Sequence, residues 1–238
     1  MNKVFFFSIF TFFSLFCDHT LIKDAKNFYS IDTYAILLKA MIPAAFMANS
    51  PIDAEISHFY ETTIRSTATD DVSKVVKIFG SKRPLLATLL STFAVGALTS
   101  NTKIGYILLQ FSENSLRSII VGLPTLILGQ NLLGADRPYQ NTDSYYHPFR
   151  NDHGVSGHAY MGAIPFITAA NLSTNSWLKV LFFAGSTLTG LSRLNDASHY
   201  ASQVLLGWVL AFASCNAITK TNRSITISGN KVTIGYLF

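Results

Sequence analysis

Ser192-Arg193-Leu194-Asn195-Asp196-Ala197-Ser198-His199-Tyr200-Ala201-Ser202-Gln203 closes one apolar block of the chain and opens the next. Apolar residues dominate 177–192 before it and 199–219 after it. Asn195-Asp196 makes the break, because short polar side chains bond to nearby backbone instead of continuing a helix. The stretch predicts two apolar helices joined by a polar turn, with an arginine ending the first and a histidine heading the second. Gln203 stands four residues after His199, one helical turn on and on the same face. Its side-chain oxygen can accept the Nδ1 proton of His199, which leaves Nε2 bare.

Working outward, a third apolar helix is expected over 157–171, opened by Ser156-Gly157-His158. A long polar loop rich in Gly, Asp, Asn, Tyr, His and Pro fills 134–155. Before it lie the apolar blocks Leu116 to Leu133, with Pro124 expected to kink it, and Pro84 to Thr99. Tyr34 to Ala48 is another, ended by Asn49-Ser50-Pro51, and the mixed residues 52–82 suggest short helices and loop. Most blocks fall short of the about 20 apolar residues that a bilayer span needs, and periodicity does not separate short spans from buried core helices. The fold class is therefore all-α, a helical bundle over 30–220. Ile225, Ile227, Val232, Ile234, Tyr236 and Phe238 alternate around Ser228-Gly229-Asn230, so a small C-terminal β-hairpin is expected over 224–238.

Composition narrows the setting. The 238 residues suit one domain with a full core. Charged residues make up 13%, against about 25% in soluble domains, which points to a membrane or a very apolar helical core. The net charge of +5 suits an anionic substrate or membrane surface. Lys and Arg are scattered with no basic stripe among aromatics, so no nucleic-acid partner is expected. Cys17 and Cys215 form no CxxC pattern, which removes a zinc ribbon or redox motif. Met1-Asn2-Lys3 and the apolar run Val4 to Phe16 read as a signal peptide or N-terminal anchor over 1–17. Lipidation of Cys17 is disfavoured by the bulky Phe16 before it. Removal of the leader would leave Cys215 without an intrachain partner, so no disulfide is expected.

Three clusters carry chemistry: Arg137-Pro138, Ser156-Gly157-His158, and Ser192-Arg193 with His199 and Gln203. The two arginines supply planar, permanently charged forks suited to phosphate oxygens. Ser156 and Gly157 sit at a helix start, where free N–H groups and the dipole favour an anion. His158, just inside that helix, can face the anion and protonate a leaving oxygen. His199 is the nucleophile and Gln203 its orienter. The chemistry expected is metal-independent displacement through a phosphorylated His199, with no cofactor. Each residue alone would read as a cap or an ordinary polar helix residue; the joint pattern lifts the site. Arg83-Pro84 repeats the Arg-Pro dipeptide, but it stands far from Ser-Gly-His along the chain and reads as a decoy. The spacings of His147, His153 and His158 do not match a metal-binding helix. Asp152 and His153 are expected at the entrance, Tyr145, Tyr146 and Phe149 as an apolar lip, and Asp136 as a salt-bridge partner.

In this order the clusters resemble the type 2 phosphatidic acid phosphatases, which share a superfamily with bacterial non-specific acid phosphatases and vanadium haloperoxidases. That family's pattern is Lys, six residues, Arg-Pro; Pro-Ser-Gly-His; Ser-Arg, five residues, His, three residues, Asp. This chain has Gln130, six residues, Arg137-Pro138; Val155-Ser156-Gly157-His158; Ser192-Arg193, five residues, His199, three residues, Gln203. The resemblance runs from about Gln130 to Ala217. It implies a helical bundle, hydrolysis of phosphomonoesters or lipid pyrophosphates, and a covalent histidine intermediate. It also implies that Arg137, Ser156, Gly157, His158 and Arg193 bind or protonate phosphate, and that His199 attacks. Three departures stand out. Gln130 replaces a lysine and brings a hydrogen bond without charge. Val155 replaces a proline. Gln203 can orient His199 but lacks the charge that stabilises its imidazolium, so weakened or specialised catalysis is expected. The expected partner is a phosphorylated lipid or small phosphate ester, met at a membrane with the site on the extracytoplasmic, periplasmic side. The alternatives are a soluble periplasmic acid phosphatase, a vanadate-dependent peroxidase, and a phosphate-lipid binding protein with weakened catalysis.

Overall fold

The structure, a computed structural model, describes residues 19–140 and 143–228. These residues form nine α-helices: α1 (His19–Phe28), α2 (Ile31–Ala48), α3 (Ile52–Phe59), α4 (Thr67–Gly80), α5 (Lys82–Leu98), α6 (Lys103–Leu133), α7 (Gly157–Leu172), α8 (Ser176–Asn195) and α9 (Ala201–Ser228). A π-helical turn, Tyr60–Ile64, extends α3, and a 3-10 turn, Pro138–Gln140, follows α6. Local sequence explains most of the starts. Side chains of Ser30, Ser66, Thr102, Ser156 and Asn175 each accept a backbone N–H in the first turn of the following helix. Ser66 and Thr69 form a reciprocal capping box.

Helix α7 is the axis of the bundle, packed by α4, α6, α8 and α9. It buries Ala159, Tyr160, Met161, Ala163, Ile164 and Ile167. The Tyr160 hydroxyl reaches the carbonyl oxygens of Ser118 and Ile119 in α6, at 2.9 and 3.0 Å.

On two of the helices around this axis the usual distribution of polarity is reversed. Helix α2 buries Thr33, Ala40, Ala44 and Ala48 and exposes Ile31, Tyr34, Leu38, Ile42 and Phe46. Helix α8 buries Ser186, Thr189, Gly190, Ser192, Arg193 and Asn195, and exposes Trp177, Val180, Leu181, Leu188 and Leu191. Small and polar residues inside with large apolar residues outside is the arrangement of helices packed in lipid, where close backbone approach and interhelical hydrogen bonds hold the bundle. Among the described residues, three helices are long and apolar enough to cross a membrane: Ile31–Ala48, Lys103–Leu133 and the Ala201–Asn222 part of α9.

Several sequence expectations are corrected. Helix α6 begins at Lys103, well before Leu116, because Ser112, Asn114, Ser115, Arg117 and Ser118 face the bundle and leave no apolar signal in the sequence. Pro124, where a kink is expected, lies inside its span. Helix α9 continues to Ser228, so Ile225 and Ile227 are helical where the first arm of a hairpin was expected. The rest of that hairpin, the 1–17 leader and Cys17 lie outside the described residues.

Candidate active site

The three clusters meet at one end of α7. Helix α6 ends at Gly134, whose φ of +43° is left-handed. A Cβ there would stand 2.2 Å from the His147 carbonyl oxygen, so only glycine permits the chain to turn so tightly. The 134–156 loop is then stitched back to α6. Gly154 and Gly134 both donate N–H to the Gln130 carbonyl at 3.2 Å, and Ala135 N–H reaches Asn151 Oδ1 at 2.9 Å. An isolated bridge pairs Ala135 with Tyr146. Asp136 holds Asn151 at 3.0 Å and Arg150 at 3.3 Å, so it is the salt-bridge partner expected of it, but to Arg150.

Gln203 joins all three clusters. Its Nε2 donates to the Asp136 carbonyl at 2.9 Å, beside Arg137. Its backbone carbonyl accepts from Ser156 N–H at 3.0 Å. Its Oε1 lies 2.6 Å from His199 Nδ1 and also receives Tyr200 N–H at 3.3 Å. The Asp136 carbonyl can only accept, so it sets the orientation of the amide; Oε1 then faces His199, whose Nδ1 must carry the proton. Nε2 of His199 is left as the basic nitrogen.

His199 lines a cavity of about 480 Å³, together with Gln130, Arg137, Gly157 and His158. Ser156, Arg193 and Gln203 are buried and are not among the residues that line it. Ser156 is the N-cap of α7, its Oγ accepting Ala159 N–H at 3.3 Å. One N–H of the Gln130 amide donates to the Val155 carbonyl at 3.0 Å and so braces the turn into Ser156-Gly157. Arg137 Nη2 lies 3.2 Å from His153 Nδ1, while its buried Nε has no partner among the described residues. A buried donor left open beside a cavity is fitted to an acceptor from a ligand. Arg193 is held by Asp196 at 2.8 Å and by Ser192 Oγ at 3.3 Å. Burial opposes the charge of Asp196, but the Ser73 hydroxyl, Arg193 and Lys77 hold its carboxyl below the usual carboxylate range.

Both imidazoles are tuned by this setting. Burial pushes His199 down to about 3, with Arg137 and Arg193 adding to the effect and the Gln203 bond opposing it. Burial, with Arg193, Arg137 and Lys82, lowers His158 to about 4. The same two guanidinium charges thus act on both rings.

Asp152 and His153 line the cavity as expected, paired at 2.8 Å. His147 is turned to Asp143 at 3.1 Å. Tyr145 and Phe149 are exposed on the loop but do not line the cavity. Sequence reasoning missed Lys82, Arg83 and Pro84, which form part of the cavity wall. Arg83-Pro84 is therefore no decoy by position: Gly80, just before it, packs against the start of α7. A Cβ at Gly80 would stand 2.7 Å from the His158 carbonyl oxygen. Asp53 was also missed. It is fully buried and holds the start of α9, accepting Ser202 N–H at 3.0 Å and the Ser202 hydroxyl.

An all-helical bundle that brings two imidazoles and the Arg137 guanidinium to a helix N-terminus, with the Arg193 charge acting on both rings, is a scaffold for binding a tetrahedral oxyanion. A family model, described as the PAP2 superfamily, matches residues 119–226. The matched segment carries all three clusters, so the chain is similar to that superfamily over the part that builds the cavity. Neither a curated protein nor a solved structure matches the chain.

Proposed function

We propose that this chain is a metal-independent phosphatase of membrane-associated phosphate esters, with lipid phosphates or diphosphates preferred, working through a phosphohistidine. The observation that carries the reading is the Gln203 network. One side chain and its backbone tie Asp136, Ser156 and His199 together and leave His199 Nε2 as the free base beside Arg137.

In this mechanism the phosphoryl group sits over the backbone N–H groups of Gly157 and His158, at the start of α7. Arg137 Nε and the second N–H of the Gln130 amide take its oxygens, and Arg193 supplies charge from behind. Nε2 of His199 attacks phosphorus, the bond to the ester oxygen breaks, and His158 donates a proton to that oxygen. Water, deprotonated by His158, then breaks the P–N bond and releases phosphate. Gln203 keeps His199 in the productive tautomer throughout. The apolar outer face of the bundle favours substrates that share its lipid environment, with the catalytic domain spanning about 30–220 and opening to the extracytoplasmic side.

Phosphate release from an aryl phosphate, compared between the wild-type chain and His199→Ala, tests the reading. Loss of a nucleophile is expected to lower kcat by about 10³-fold or more. Equal release from the two proteins would instead assign the cavity to phosphate-lipid binding without hydrolysis.

A further inference from the structure

Two cations of the cavity wall have no part in the mechanism above. Lys82 and Arg83 open α5, and both are exposed. Among the described residues neither has an ion-pair partner. Their side of the cavity is defined by packing, because the Gly80 backbone lies against the His158 carbonyl, two residues before Lys82. The field of Lys82 acts on His158, whereas His199 feels Arg137, Arg193 and His153. The Gly80 contact thus puts the start of α5 on the His158 side of the cavity, where the leaving oxygen departs if His199 attacks from the other. The volume of about 480 Å³ falls within the roughly 300–1,000 Å³ of small-molecule sites and is more than a lone phosphoryl group requires.

We propose that Lys82 and Arg83 form a second anion subsite on the leaving-group side of the cavity, so that the chain prefers diphosphate monoesters to simple monophosphates. The inference rests on the phosphatase reading. His199 Nε2 bonds to the terminal phosphorus, and the bond from that phosphorus to the bridging oxygen breaks. The electron pair leaves on the organic monophosphate, whose charge Lys82 and Arg83 neutralise. Water then cleaves the P–N bond to give orthophosphate. A phosphate leaving group needs less protonation than an alcohol, which suits a His158 that is neutral near neutral pH.

The test pairs dodecyl phosphate with dodecyl diphosphate on the full-length chain in detergent. Lys82→Ala combined with Arg83→Ala is expected to raise KM for the diphosphate about tenfold more than for the monophosphate, the scale of lost charge-assisted bonds. Lys82→Arg in place of Lys82→Ala should recover part of that ratio. Calorimetry with inorganic pyrophosphate and orthophosphate, which needs no turnover, should show the wild type holding pyrophosphate more tightly, with the gap closing in the double variant. Equal effects on both substrates, or a gap that persists in the double variant, overturns the subsite. A Lys82- and Arg83-dependent pyrophosphate gap in a wild-type protein without turnover would sink the phosphatase reading while sustaining the subsite.

Discussion

At the scale of single residues, the neutral Gln203 makes this site unusual. A carboxylate at that position would stabilise the imidazolium of His199. Gln203 leaves burial unopposed by charge, and His199 falls to about 3. His199 must be neutral to attack, so kcat/KM is lost as pH falls through about 3. His158 must be protonated to serve an alcohol leaving group, and in the free enzyme it loses that proton as pH rises through about 4. With an alkyl phosphate, kcat/KM is therefore expected to peak in acid and decline toward neutrality. Gln203→Asp, which places a negative charge near Nδ1, should move the acid limb upward by raising the pKa of His199. It should also cost about 1 kcal/mol of stability through the lost amide bond to the Asp136 carbonyl. A wild-type profile that climbs steadily from pH 5 to pH 8, or an unmoved acid limb in the variant, would contradict these assignments. The residues of this constellation were legible because their spacing along helices is fixed by the period of the backbone. Lys82 and Arg83 were not, because their approach to His158 depends on how Gly80 packs in three dimensions.

At the scale of elements, helix α1 is held to the bundle by charge. Asp24 and Arg117 form a fully buried two-point ion pair, with both bonds at 2.8 Å, and Asn114, Asn222 and Glu113 surround the guanidinium. Removing one partner strands the other charge in the interior. Asp24→Ala or Arg117→Ala should each lower unfolding stability by about 3–5 kcal/mol, read from thermal or denaturant unfolding in detergent. A change below about 1 kcal/mol would mean that the pair is solvated like a surface bridge. The same cluster shows why the sequence concealed part of the fold. Helices α2, α5, α7 and α8 announce themselves by apolar runs between breakers. The first half of α6 does not, because its polar residues point inward to Asp24 and its neighbours. At the other end, the alternation of Ile225 and Ile227 is a local strand pattern overridden by the continuing hydrogen-bond ladder of α9.

At the scale of the whole molecule, an apolar core is joined by two helices that turn large apolar faces outward. Leu38, Ile42 and Phe46 on α2 and Trp177, Val180 and Leu181 on α8 would be costly faces in water. The chain is expected to stay with membranes through osmotic shock and high salt and to need detergent for release; recovery in a detergent-free shock fluid would contradict the lipid-facing reading. The bundle also does what none of its segments could do alone: it brings the end of α6, the head of α7 and the turn between α8 and α9 to one cavity. The central claim is that these three pieces surround one phosphoryl group for attack by His199. Rapid quench with a substrate labelled in its terminal phosphate, followed by peptide mapping in alkali, measures this most directly. Acid-labile label on the peptide containing His199, absent from His199→Ala, is the expected result; full turnover with no label on that peptide, and activity surviving in the variant, would contradict it.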